Sequence, residues 1–179
     1  MRMEEQTIIS CDDNGLVLGY IPRALGHTGI GKRHLAITVL LYNSNGEVLL
    51  QKRKHKVFDN IWCFTADTHP LHLSQKDESF EDATKRALRE EYRIRNVPPL
   101  QNLGTFNYYA KYGERCENEH CAMLIAEYDG EINMDPEVGY ENKWVAKMEF
   151  LKDFESNPGN YAPWVPGGVE VLKKSGFFS

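Results

Sequence analysis

His27, His34 and His69, together with Glu117 and Glu119, are the side chains of this sequence best equipped for chemistry. Three imidazoles and two carboxylates form a mixed nitrogen and oxygen donor set suited to a divalent cation such as Mn²⁺, Zn²⁺ or Mg²⁺. The two glutamates lie two apart, ahead of an apolar stretch that runs from Cys121 to Ala126. In a strand, residues 117, 119, 121, 123 and 125 share one face, so both acids would stand beside Cys121, Met123 and Ile125. Two like charges on a half-buried face are costly unless a cation or a proton compensates them. For any one of these residues, a place on the surface or in the core is the plainer reading. A bound metal accounts for all five at once.

Several elements must bring these residues together. Leu16 to Ile21 reads as a strand, and His34 to Tyr42 as a buried one rich in β-branched and apolar residues. A turn over residues 43–46 leads into a strand from Glu47 to Arg53, and a further strand is expected from Ile61 to Ala66. The clearest helix opens at Ser79, a good N-cap with acids in the first turn, and runs to about Tyr92. Its apolar stripe is Phe80, Ala83, Ala87 and Leu88, and Glu91 falls at almost the angular position of Phe80. Glu90 is placed to pair with Arg86 one turn earlier. Strands over 103–110, 117–128 and 143–146, then helices over 148–155 and 165–174, complete an α+β or α/β outline.

With 179 residues the chain suits one domain spanning 1–179. Its formal charge of −5 gives no reason to expect a nucleic-acid partner. Cys11, Cys63, Cys116 and Cys121 show no metal-type or disulfide-type spacing, which fits reduced thiols in a cytoplasm. No apolar run is long enough for a membrane span, and residues 1–10 lack the features of a signal peptide. Nothing in the sequence bears on oligomeric state.

The helix and its approach resemble a Nudix box, the loop–helix–loop with which that family binds a metal–diphosphate. Glu78, Arg86, Leu88, Glu90, Glu91 and Ile94 fit the spacing, whereas His72, Ala87 and Arg93 replace the expected Gly, Glu and Gly. More specifically, Gly26-His27-Thr28, His34-Leu35-Ala36, Trp62, Thr68-His69-Pro70, Glu117-Asn118-Glu119 and Pro163-Trp164 are similar, in order, to type 1 isopentenyl-diphosphate isomerase. The similarity covers roughly residues 8 to 166. It implies a Nudix fold, an α/β/α sandwich whose mixed central sheet is flanked by helices. It also implies one divalent cation on His27, His34, His69, Glu117 and Glu119, the same set reached above from donor chemistry. Arg23, Arg53 and Lys56 would bind the substrate diphosphate, and Glu91 would share its Mg²⁺. A phosphate-binding arginine of the family falls on Ala87, which leaves the adjacent Arg86 as the candidate.

The implied reaction is a 1,3-allylic proton shift from isopentenyl to dimethylallyl diphosphate. It needs an acid, a base on the opposite face and an electron-rich wall for positive charge at C3. By resemblance Glu119 with Tyr108 serves one side, and Trp164 supplies the π face. The family's second proton-transferring residue is a cysteine, and this chain has Asp67 there. An aspartate can carry a proton if its pocket raises its pKa. Two alternatives stay open: a Nudix hydrolase cleaving a nucleoside or prenyl diphosphate, which the Glu90-Glu91 pair favours, and a non-catalytic diphosphate-binding protein.

Overall fold

The computed structural model describes residues 6–179, so half of the amino-terminal stretch read above for a signal peptide lies outside the described residues. Among the described residues, nine strands form one curled mixed sheet. They are β1 (Thr7–Cys11), β2 (Val17–Pro22), β3 (His34–Tyr42), β4 (Glu47–Arg53), β5 (Trp62–Cys63), β6 (Ala66–Thr68), β7 (Gln101–Tyr112), β8 (Arg115–Glu127) and β9 (Gly139–Ala146). Four helices accompany them: α1 (Arg23–Gly26), α2 (Phe80–Tyr92), α3 (Lys147–Ser156) and α4 (Val165–Lys174).

β3 is the hub. It runs parallel to β8 over nine residue pairs, from His34↔Glu119 to Tyr42↔Glu127, and antiparallel to β6 and β1. β4 joins it through the single pair Tyr42↔Val48 and then carries β5 and β9. Because β3 is covered on both faces, its sequence is nearly continuous in apolar residues. Ile37, Val39, Leu41 and Leu49 pack with Ala83, Ala87 and Leu88 of α2 on one face. Leu40, Leu50, Phe64 and Met123 pack with Phe150 of α3 and with Val169 and Leu172 of α4 on the other. Each fully buried Val, Leu, Ile, Phe or Met side chain among them contributes roughly 1.5–3 kcal/mol. The result is the expected sandwich of helices about a mixed sheet.

α2 begins with a capping box: Ser79 accepts from the Asp82 amide at 3.0 Å, and Asp82 accepts from the Ser79 amide at 3.3 Å. It ends at Arg93, whose φ of 60° is left-handed. This is where the Nudix pattern has glycine, the residue that takes such a conformation without steric cost.

Two expectations need correction. The strand expected over 61–66 is two strands, because the chain crosses from β4 to β3 between them. Thr65 makes the crossing, donating to the Leu49 carbonyl at 2.7 Å and accepting from the Leu41 amide at 2.9 Å. Arg86 does not pair with Glu90: it grips Glu78 with two nitrogens, each at 2.8 Å.

Candidate metal centre and adjoining cavities

The sheet register assembles the candidate ligands. The parallel pairing of β3 with β8 sets His34 beside Glu119, and the β7–β8 hairpin sets Tyr108 across from Glu119. His69 follows β6 directly, and His27 caps the short α1. Gly26, next to His27, has no room for a side chain, since a Cβ there would stand 2.9 Å from His34 Nδ1. The donor atoms of His27, His34, His69, Glu117 and Glu119 all lie within 4.8 Å of one another.

The polar geometry points inward. His27 Nδ1 donates to the Arg23 carbonyl at 2.8 Å and His34 Nδ1 to the Lys32 carbonyl at 2.7 Å. Those bonds leave each Nε2 as a bare lone pair facing the cluster. His27 Nε2 stands 3.1 Å from Glu117 Oε2, yet both atoms are buried without a hydrogen-bond partner, as is His34 Nε2. His34 Nε2 and His69 Nε2 stand 3.5 and 2.9 Å from Glu119 Oε1. Metal–ligand bonds of about 2.1 Å put neighbouring donors roughly 3 Å apart and opposite ones roughly 4 Å apart. These five residues therefore fit a divalent cation.

Two cavities adjoin this cluster. The inner one, about 40 Å³, is lined by Arg23, Arg53, Asp67, Tyr108, Glu119 and Trp164, among others. The outer one, about 720 Å³, is lined by Arg23, His27, Lys54, His55, Lys56 and Arg115, with Phe58, Tyr112 and Tyr140 as its aromatic walls. Arg23 and Glu117 line both, so they mark the throat between them. The Arg53 guanidinium lies 5.2 Å from the centre of the Trp164 ring.

The electrostatics separate the acids. Burial would raise the Glu119 pKa, but His34, Glu117 and the Tyr108 hydroxyl, which donates to it, bring it down to about 2. Burial pushes Asp67 up to about 6 despite the Thr38 hydroxyl and Arg53. Thr38 Oγ1 donates to Asp67 Oδ1 at 2.5 Å, while Asp67 Oδ2 is buried and unpartnered. Glu91 is half-buried and pushed up to about 8, by burial first and then by the charge of Asp67. Gln51 Nε2 donates to Glu91 at 3.3 Å and to the Tyr92 hydroxyl at 3.1 Å. Tyr108 is driven well up by burial and Glu119.

Most of the residues singled out in the sequence line one or both cavities, with Lys56 exposed at the rim of the outer one. His34 lines neither cavity but belongs to the five-residue cluster, and three others stand outside both cavities and cluster. Glu91 lies outside the five-ligand cluster and beside Gln51. Arg86 lines neither cavity: besides Glu78 it donates to the His69 carbonyl at 2.9 Å, and so braces a ligand's backbone. Glu90 is exposed on α2. Sequence reasoning passed over Thr38, Gln51 and His55; a hydroxyl inside the apolar strand β3 was the signal for the first.

Comparison with known proteins gives these features a lineage. The NUDIX domain family matches residues 32–165. Isopentenyl-diphosphate Delta-isomerase of Nocardia farcinica is 32% identical over 164 residues, covering 89% of this chain and 90% of that one. The enzyme of the same name from Escherichia coli is 25% identical over 166 residues, covering 91% and 89%. Among solved structures, DR0079 from Deinococcus radiodurans superposes with a TM-score of 0.68 at 16% identity, covering 94% of this chain and 98% of that one. A Caenorhabditis elegans Ap4A hydrolase reaches 0.53 at 16% identity, covering 80% and 96%, and at such identity the likeness speaks for the fold. The chain belongs to the NUDIX domain family, with isopentenyl-diphosphate Delta-isomerases among its full-length relatives.

Proposed function

We propose that this protein is a divalent-metal-dependent isomerase that converts isopentenyl diphosphate to dimethylallyl diphosphate. The observation that carries the reading is the inner cavity, where Asp67, the Glu119–Tyr108 pair and the Trp164 ring converge beside the histidine–glutamate cluster. At roughly 10–15 Å³ per water, its 40 Å³ has room for about three waters. That is close to the bulk of a five-carbon branched chain and far short of a nucleoside.

In this reading Arg23 and Arg53 hold the diphosphate at the throat, with Lys56 at the rim. The hydrocarbon enters the inner cavity. A proton is added at C4 and another leaves C2, and Glu119 with Tyr108 on one side and Asp67 on the other divide the two transfers. Positive charge developing at C3 is stabilised by the Trp164 ring. A divalent cation on His27, His34, His69, Glu117 and Glu119 would supply fixed positive charge that sets the protonation of Glu119. By the resemblance, Glu91 would share a Mg²⁺ brought with the diphosphate, whose charge would offset the burial that keeps its proton on.

Hydrolysis is the less supported alternative. Ala87 offers no carboxylate and Glu90 faces solvent, so of the residues at 87, 90 and 91 only Glu91 is available to a hydrolytic metal. The test is incubation with isopentenyl diphosphate, Mg²⁺ and Mn²⁺, following dimethylallyl diphosphate and released phosphate together. Isomer without phosphate is the expected result. Phosphate release from this or a nucleotide panel would make it a hydrolase, and saturable binding without turnover a binding protein.

A further inference from the structure

Thr38 is a polar residue with no apparent business where it sits. It lies mid-way along β3, fully buried, between Ile37 and Val39 in a strand otherwise apolar from Leu35 to Leu41. A buried hydroxyl needs a partner, and valine would fill the same space without that demand. Its partner is specific. The antiparallel register of β3 with β6 sets Thr38 across from Asp67, and Oγ1 donates to Asp67 Oδ1 at 2.5 Å.

The bond divides the two oxygens of one carboxyl group. Oδ1 is occupied by the threonine, whereas Oδ2 is buried, makes no hydrogen bond, and belongs to a residue that lines the inner cavity, with the Cys63 thiol as a neighbour of the carboxyl. A side chain that must exchange a proton with a bound hydrocarbon needs one oxygen held in place and the other free. A rotation of the carboxyl by a few tens of degrees would move the reacting oxygen by about 1 Å, enough to cost roughly 10²-fold in rate. From this arrangement, and resting on the isomerase reading above, we infer that Thr38 is a positioning residue that presents Asp67 Oδ2 to the substrate.

The inference separates chemistry from binding. Thr38 touches no diphosphate-binding residue and none of the five candidate metal ligands in the hydrogen-bond network, so its loss should act on turnover alone. The test compares Thr38→Val, which keeps the shape and deletes the hydroxyl, with Thr38→Ser, which keeps the hydroxyl. In isopentenyl diphosphate isomerisation, the Val variant should lose 10- to 100-fold in kcat with KM within threefold, and the Ser variant should stay within threefold in both. Bound metal per chain should match wild type in both variants. If Thr38→Val is too unstable to isolate, Thr38→Ala replaces it, with the same expected loss and the same split.

A hydroxyl-deleting variant with kcat within twofold of wild type would overturn the inference while leaving the isomerase reading intact. So would a Ser variant as slow as Val, since that pattern reports packing of the γ-methyl group. A wild-type chain with no isomerase turnover would overturn the underlying reading, and this inference with it.

Discussion

In the proposed isomerisation, the residue on which the chemistry turns is Asp67. Where the resemblance implies a cysteine, an aspartate brings a second oxygen and, when ionised, a charge. Burial pushes its pKa up to about 6, so it can hold or release a proton near neutrality. Cys63, four residues earlier, is no substitute: its buried thiol donates to the Gln51 carbonyl at 3.5 Å, neighbours the Asp67 carboxyl and lowers its pKa, but lines neither cavity. Asp67→Asn should therefore lower isomerase kcat by at least ~10², the scale of general acid–base catalysis. Metal content by elemental analysis should not change, because Asp67 stands outside the ligand cluster. A fully active Asn variant would remove Asp67 from the mechanism. A second residue carries a pH signature. Burial, with Arg53 beside it, lowers His55 from 6.5 to about 4. Between those values the unfolded chain binds a proton that the folded one does not, so stability rises with pH across this window. Equivalently it is lost on acidification from about pH 6.5 towards pH 4, at no more than ~1.4 kcal/mol per pH unit. His55→Gln should flatten that part of a urea-denaturation series, and an unchanged slope would refute the assignment.

At the scale of elements, α2 serves as a brace as much as a ligand carrier. Its Arg86 ties Glu78 and the carbonyl of His69 together, which fixes the loop that presents a candidate metal ligand. The helix ends at Arg93 in a left-handed conformation closed by backbone bonds to Arg89 and Leu88, and the side chain itself contributes an exposed ion pair to Asp135 at 2.8 Å. A non-glycine residue there costs roughly 1–2 kcal/mol, and an exposed ion pair returns about 0.2–1 kcal/mol. Arg93→Gly should thus stabilise the fold by roughly 0.5–1 kcal/mol, read as a higher urea midpoint at unchanged slope. A lower midpoint would mean that the pair to Asp135 outweighs the backbone strain.

For the whole molecule, the candidate centre is a crossing point of β3, β8, α1 and the end of β6, so a bound cation should tie distant segments together. At a metal concentration of about 100 Kd this linkage is worth ~2.7 kcal/mol. For a chain of this size, chelation should then lower the melting temperature by roughly 5–10 °C, and Mn²⁺ or Zn²⁺ should restore it. A melting temperature indifferent to chelator would leave the five-residue cluster without a cation. Much of this was legible in the linear chain. Glu117 and Glu119 declare a shared face through their spacing of two, the Ser79 cap and apolar stripe declare α2, and the donor types point to a candidate metal set that the fold brings together. These are local or compositional signals, set by strand period, helix period and ligand chemistry. Register and crossing are different in kind. That Thr38 faces Asp67, that Arg86 turns to Glu78 rather than Glu90, and that the chain leaves β4 for β3 at Thr65 depend on pairings between segments far apart in sequence. Each is chosen by which buried polar group can find a partner once the sheet has closed, and that choice exists only in three dimensions.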